Sequence, residues 1–99
     1  MQVILLQPTT AAAISNPTQA TKIGQTVTII CTGLQGNESA PLLILDPISG
    51  KYVPFYLNGQ GIAFSSTNNV IGVEGAGSYC VNKPVTVAAV GISASALDF

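Results

Sequence analysis

The stretch that decides the fold is residues 70–92, which read VIGVEGAGSYCVNKPVTVAAVGI. It consists of short runs rich in β-branched and small residues, separated by the glycines at 75 and 77 and by Lys83-Pro84. Runs of this kind, bounded by glycine and proline, predict three strands, the last of them over residues 85–92. The remainder of the chain is expected to supply the sheet partners of these strands.

The clearest strand outside this stretch is residues 25–32. In it Val27, Ile29 and Cys31 alternate with threonines, so that the apolar and polar side chains face opposite ways. Ile30 breaks the alternation and indicates an apolar contact on the outer face as well. Further along, Asn58-Gly59 is typical of a two-residue type I′ hairpin turn.

Short strands recur along the chain at intervals of about ten residues, and no amphipathic helical window is long enough to compete with them. The predicted fold class is therefore all-β, a small β-sandwich or partly open barrel of about eight short antiparallel strands. At 99 residues the chain makes one domain with one core.

The first 21 residues lack a clean period and are rich in Thr, Ala, Ser, Asn and Pro. They predict an extended N-terminal arm (residues 1–21) ahead of a sandwich domain (residues 22–99), with the arm adding a strand to a neighbouring subunit. The alternative is an ordinary edge strand and loop of the same domain. The apolar side chains of the arm are the first candidates for an interface: Val3, Ile4, Leu5, Leu6 and Ile14.

The scarcity of charge is the most informative feature of the composition. Charged residues make up only 7% of the chain, and the net charge is −1. About a quarter of residues is usual, and a free monomer normally keeps a mixed charged surface. A surface this poor in ions favours a subunit that its neighbours cover, because charges at such contacts would have to be desolvated. We therefore expect a homo-oligomer or a subunit of a larger particle, although a small soluble domain that tolerates low charge is the alternative.

The same composition argues against several classes of partner. Arginine is absent and the three lysines are scattered, whereas a nucleic-acid binder needs several cations on one face. No apolar run approaches the roughly 20 residues of a membrane helix. Residues 1–6 are too short and too neutral for a secretory signal. We expect no nucleic-acid partner, no membrane partner and no export.

Catalytic and metal chemistry are equally unsupported by the residue types. Histidine is absent, and two cysteines with scattered carboxylates do not supply a structural zinc site. The sequence therefore predicts no enzyme activity, no metal and no cofactor. Aromatic residues cluster instead at Tyr52, Phe55 and Tyr56, where one face of the strand is expected to fill the core and the other to meet a protein or carbohydrate partner.

The two cysteines carry a first family resemblance. Residues 27–33 (VTIICTG) look like the B strand of an immunoglobulin variable domain, and residues 74–80 (EGAGSYC) look like its F strand. The pattern departs in having no tryptophan, and Tyr79 stands one residue before the cysteine instead of two. Strand parity also places Cys80 on the face opposite Tyr79, whereas Cys31 faces inward. Cys31 and Cys80 are therefore expected to be free thiols in a reducing cytoplasm.

A second resemblance covers residues 24–92. The chain is similar to small, low-charge β-domain virion proteins of tailed bacteriophages through a set of spaced residues: Thr67-Asn68-Asn69, Gly77, Tyr79, Val81, Lys83, Ala88-Ala89-Val90 and Gly91. The resemblance implies a capsid decoration or cement subunit, made in the host bacterial cytoplasm and bound to the major capsid protein or other virion subunits. The alternative is an immunoglobulin-like binding module on a tail or fibre.

Overall fold

The computed structural model describes residues 2–20, 26–74 and 77–96, and in these ranges it contains β-strands and no helix. The predicted all-β class is confirmed. The strands are β1 (Gln2–Thr9), β2 (Ala13–Ile14), β3 (Thr18–Ala20), β4 (Thr26–Thr32), β5 (Ser39–Asp46), β6 (Lys51–Pro54), β7 (Tyr56–Leu57), β8 (Gln60–Gly61), β9 (Ala63–Ser65), β10 (Val70–Glu74), β11 (Gly77–Lys83) and β12 (Val90–Ser95).

The strands form a sandwich of two antiparallel sheets. Sheet I has the order β1-β12-β4-β10. Sheet II has the order β2-β11-β5-β6, with β3 also pairing with β11 and β9 also pairing with β5. The short strands β7 and β8 pair only with each other, as a ribbon between β6 and β9.

The core lies between the sheets and is made by alternate residues of their central strands. Val27, Ile29 and Cys31 of β4 are buried, as the sequence predicted. From sheet II the core receives Leu42, Phe64, Tyr79 and Val81, all nearly or fully buried. Burying each large apolar side chain contributes about 1.5–3 kcal/mol, so these strands supply most of the driving force for folding.

Residues 2–20 are built into the sandwich of their own chain. β1 pairs with β12 at the edge of sheet I, and β2 and β3 pair with β11 in sheet II. Leu5 enters the core, and its carbonyl accepts a hydrogen bond from the Asn16 amide at 2.9 Å. The segment is thus an edge strand that crosses between sheets, which was the alternative to a free arm. The predicted domain boundary between residues 21 and 22 lies outside the described residues.

The predicted strand over residues 85–92 is wrong in its bounds, because β12 begins only at Val90. The residues before it form a loop, and their main-chain groups are already bonded elsewhere. The Thr86 amide donates to the Thr10 carbonyl at 3.0 Å, and the Val87 amide donates to Glu38 Oε2 at 2.8 Å. The strand continues instead to Ser95.

The strand order can be set beside that of an immunoglobulin variable domain. β4 and β11, which match the B and F strands, lie in opposite sheets as those strands do. An immunoglobulin domain places its final strand beside F, whereas here β12 pairs with β1 and β4 in the opposite sheet. The chain therefore has a sandwich with its own strand order.

Candidate interaction surfaces

The outer face of sheet I is a flat surface of small and aliphatic side chains. The strand register sets four residues side by side across all four strands. Ile4 pairs with Ser93, Ser93 with Ile30, and Ile30 with Val70. The outer two of these, Ile4 and Val70, are 60% and 49% exposed. We call this set (Ile4, Ser93, Ile30, Val70) the sheet I row.

A second row of the same face follows one step along the strands, again from the strand register: Gln2, Ser95, Thr28 and Gly72. The only ionic side chain among the described outward positions of this face is Glu74, at the end of edge strand β10. Its carboxylate accepts a hydrogen bond from the Thr26 hydroxyl at 3.3 Å. The face is therefore nearly free of charge.

A shallow groove of about 250 Å³ opens beside the sheet I row. Ile4, Leu6 and Pro8 of β1 form one wall, and residues of β12 and its neighbours form the other: Ala89, Gly91, Ile92, Ser93 and Thr32. The groove exists because β1 departs from regular pairing at two points, between Ile4 and Leu6 and between Leu6 and Thr9. Gly91 helps to keep it open, since a Cβ there would lie 3.1 Å from Pro8 Cγ.

The outer face of sheet II is more closely packed by its own side chains. Cys80 pairs with Leu43 on this face, as the parity argument predicted, and it is only 1% exposed. The Tyr52 hydroxyl lies 2.7 Å from the Ser78 hydroxyl and joins β6 to β11 across β5. Ile14, at the β2 edge, is the apolar side chain of this face that remains most open, at 65% exposed.

The ribbon carries the exposed aromatic side chain. Asn58 and Gly59 have positive φ values of 53° and 80°, which fit the predicted type I′ turn. Tyr56 pairs with Gly61, and a Cβ on Gly61 would lie 3.5 Å from the tyrosine ring, so the ring rests over the glycine. Tyr56 and Leu57 are both mostly exposed. They present a small apolar tip at the edge of sheet II.

The loops at residues 33–38, 66–69 and 84–89 meet at one end of the sandwich, which we call the loop end. Glu38 ties the first loop to the third, because its carboxylate accepts hydrogen bonds from the amides of Gln35 and Val87, each at 2.8 Å. The bond from Val87, followed by that from Gln35, lowers the pKa of Glu38. Gly33 lies where the first loop packs against the third. A glycine is required there, since at φ +116° a Cβ would lie 2.6 Å from the Ala89 carbonyl oxygen.

Lys83 lies at the loop end and is fully buried. Its ammonium donates hydrogen bonds to the carbonyls of Ala11 and Pro84, both at 2.7 Å. These bonds fasten the crossing segment after β1 to the loop after β11. This role could not be predicted from the sequence, because lysine is almost never fully buried unless its charge is paired.

The two cysteines are unpaired and buried in different places. Cys31 belongs to the core between the sheets, and burial raises its pKa to about 11 against a smaller lowering by Lys83. Burial also raises the pKa of Cys80. Neither thiol has the depressed pKa and exposure that a nucleophilic cysteine requires.

Within the described residues, no group of three or more His, Cys, Asp or Glu side chains is placed to hold a metal ion. The remaining described acid besides Glu38 and Glu74 is Asp46, which accepts a bond from the Ile48 amide at 3.0 Å and one from the Ser49 hydroxyl at 2.9 Å. These bonds, the amide of Ile48 first, lower the pKa of Asp46. The described part of the chain also contains no helix long and apolar enough to cross a membrane.

The predicted interface residues are separated by the fold into several places. Ile4 and the half-buried Leu6 lie on the groove. Ile14 and Tyr52 lie on the outer face of sheet II, and Tyr56 lies on the ribbon. Val3 is partly exposed at the β1 edge. Two of the set point elsewhere: Leu5 is in the core, and Phe55 packs edge-on against Tyr79, with ring centroids 5.7 Å apart.

The sequence did not predict Val70, Ser93, Val85 or Val87 as interface residues. Val85 and Val87 were assigned to a strand, yet they are highly exposed in the loop before β12. Val70 and Ser93 become neighbours of Ile4 only through the pairing of four strands distant in sequence. Ile30 did give a signal, since it interrupts the alternation of β4.

No known protein family, curated protein or solved structure matches this chain.

Proposed function

We propose that the chain is a non-enzymatic structural protein of a bacteriophage virion, a capsid decoration or cement subunit that stabilises neighbouring coat subunits. The observation that carries the proposal is the neutrality of both outer faces. Of the described ionic residues, Lys83 is buried, and Glu38 and Asp46 are bonded to main-chain amides. The other two, Lys51 and Glu74, are exposed at the ends of edge strands β6 and β10. A protein can dock such faces without desolvating ions, whose burial costs several kcal/mol each.

Attachment to the coat is assigned to the outer face of sheet II and the ribbon. Ile14 and Tyr56, at 65% and 63% exposed, offer side chains that can enter pockets on a partner. The β-addition mechanism suggested by the sequence needs a free arm, whereas residues 2–20 are bonded within their own chain. Side-chain docking replaces it, and repetition over a coat lattice would make weak single contacts strong.

The test is the composition of purified particles. Mass spectrometry of virions from the cells that make this chain should find it at a fixed ratio to the coat protein. Ile14→Lys should reduce that ratio strongly, while Thr67→Lys, a charge on an exposed turn of the loop end, should leave it unchanged. A chain that stays entirely in the soluble lysate would overturn the proposal.

The second candidate is a binding module on a tail or fibre, and the loop end favours it. Three loops converge there, as the binding loops of variable domains do, and they present the exposed side chains of Val85 and Val87. The aromatic patch expected of this alternative is reduced to Tyr56, since Tyr52 is bonded to Ser78. Val87→Asp would abolish attachment in this case and leave attachment of a decoration subunit intact.

A further inference from the structure

We propose that the outer face of sheet I binds a second copy of this chain, across a two-fold axis that runs parallel to the strands between β12 and β4. The inference goes beyond the proposed function, because it concerns the pairing of two copies and needs no coat. It is carried by the order of side chains in the two rows of the face.

Rotation about this axis reverses each row and lays it on itself. Ile4 then faces Val70 of the second copy, and Ser93 faces Ile30. In the other row Gln2 faces Gly72, and Ser95 faces Thr28. Three of these four contacts set a larger side chain against a smaller one, and the fourth sets Ile4, at the wall of the groove, against Val70. The face is therefore self-complementary, which is the requirement of a two-fold interface.

The groove gives the contact its most specific feature. It lies between β1 and β12 beside Ile4, and at about 250 Å³ it has room for a branched aliphatic side chain. Val70 sits on the opposite edge strand at the same level along the sheet. The axis therefore brings Val70 of each copy onto Ile4 at the wall of the other copy's groove, so the contact is made twice.

Charge favours a second copy over a charged partner. Glu74 is the one ionic group at the described outward positions, and it lies at the end of edge strand β10 beyond both rows. The axis places the two Glu74 residues at opposite edges of the interface, about three strand spacings or roughly 14 Å apart. At that distance their repulsion is largely screened in physiological salt.

The size of the face fits a weak dimer. Sheet I is four strands wide and its strands are five to eight residues long, so its outer face covers roughly 400–500 Å². That is less than the about 800 Å² per partner of a standard interface, so the two copies should associate in a concentration-dependent way. Aligned stacking of two such sheets, at about 30° between strand directions, is the commonest geometry of sheet packing.

The first experiment is sedimentation velocity on a matched pair of variants. Ile4 and Ile14 are isoleucines of nearly equal exposure, 60% and 65%, on different sheets. We expect the unmodified chain to form dimers of twice its 10.1 kDa mass. Ile4→Lys should raise the dissociation constant of the dimer at least about 30-fold, the scale of a hot-spot residue, whereas Ile14→Lys should leave it unchanged. Val70→Lys is the second variant and should act as Ile4→Lys does.

The second experiment identifies the axis by cross-linking thiols with a short bis-maleimide, because stacked sheets lie about 10 Å apart and a disulfide needs Cα atoms within about 7 Å. The double variant Ile4→Cys, Val70→Cys should form covalent dimers, because the axis sets the two positions face to face. Ile4→Cys alone should not, since the two Ile4 positions lie at opposite edges, about three strand spacings apart across the sheet as well. Cys31 and Cys80 are buried in the unmodified chain, which therefore measures the background of covalent dimers that the native thiols form.

Three results would overturn the inference: a monomer at all concentrations, a dimer that survives both lysine variants, or cross-linking of Ile4→Cys alone. Absence of the chain from virions would refute the proposed function and leave these measurements unaffected.

Discussion

The two outer faces of the sandwich use similar neutral residues but differ in how much of their apolar surface is open. On sheet II, Leu43 is half-buried, Cys80 is buried, and Tyr52 reaches across β5 to Ser78. On sheet I three of the four central residues in the two rows (Ser93, Ser95 and Thr28) are too short to cover their neighbours. Ile4 and Val70 stay exposed at the edges. Long side chains let sheet II cover the centre of its own outer face and leave single apolar side chains, such as Ile14, exposed at its margin, whereas sheet I leaves its whole face open for a partner.

Thiol labelling tests whether the outer face of sheet II is closed and that of sheet I is open, and it has the largest expected effect. Cys80 on the outer face of sheet II should react as slowly as Cys31 in the core, because both thiols are buried and their pKa values are raised. A cysteine placed on sheet I by Ser93→Cys should react faster by a factor on the order of 10³ or more in the Ile4→Lys background. Fast labelling of native Cys80 would show that sheet II is open too.

Two adjacent leucines of β5 allow the packing energy on the inner and outer sides of sheet II to be compared. Leu42 is fully buried in the core and Leu43 is half-buried outside. Leu42→Ala should cost about 2–5 kcal/mol of unfolding free energy, as in other core truncations, and Leu43→Ala should cost about 1 kcal/mol. Denaturant unfolding measures both. Equal losses would mean that the outer face carries as much packing as the core.

The hydroxyl contact across sheet II should have a smaller effect. Tyr52→Phe should lower the unfolding free energy by about 1 kcal/mol, because it leaves Ser78 without its tyrosine partner. Tyr56→Phe removes the same atom from an exposed ring and serves as the control, with no measurable loss. A loss from Tyr56→Phe as large as that from Tyr52→Phe would contradict the assignment.

Acid should loosen the loop end, where the strands of the two sheets are joined. The pKa of Glu38 is lowered in the folded chain, so its stabilisation is present above the ordinary value of 4.5 and is lost as the pH falls through the folded pKa. Glu38→Gln should therefore flatten the acid dependence of stability below that value and destabilise the chain at pH 7. An acid profile unchanged from that of the native chain would remove Glu38 from this role. Asp46→Asn removes the other carboxylate with a lowered pKa, at the opposite end of the sandwich, and should flatten the profile without loosening the loop end.

Local signals were enough to predict much of the fold. The alternation of Val27, Ile29 and Cys31 located β4 and its inner face, and Asn58-Gly59 located the ribbon turn. The strand predicted over residues 85–92 failed because Val85 and Val87 alternate as a strand does, while their loop is bound through Glu38 and Thr10. That competition depends on loops distant in sequence, which periodicity does not report.

The candidate surfaces were less predictable for the same reason. Hydrophobicity singled out Ile4 and Leu5 together, yet these neighbours face opposite sides of β1, so that Leu5 enters the core and Ile4 stays outside. The sheet I row depends on three strand registers at once, and a single sequence fixes none of them. Lys83 looked like an ordinary surface charge until its two carbonyl partners, from separate segments, were located.

The central claim is that an exterior so poor in ions is covered by other subunits, beginning with a second copy on sheet I. Light scattering coupled to gel filtration, over concentrations from about 1 µM to 1 mM, tests this most directly. The account predicts a mass that rises from 10.1 kDa to at least twice that value. A constant mass of 10.1 kDa over the whole range, with the protein fully soluble, would contradict it.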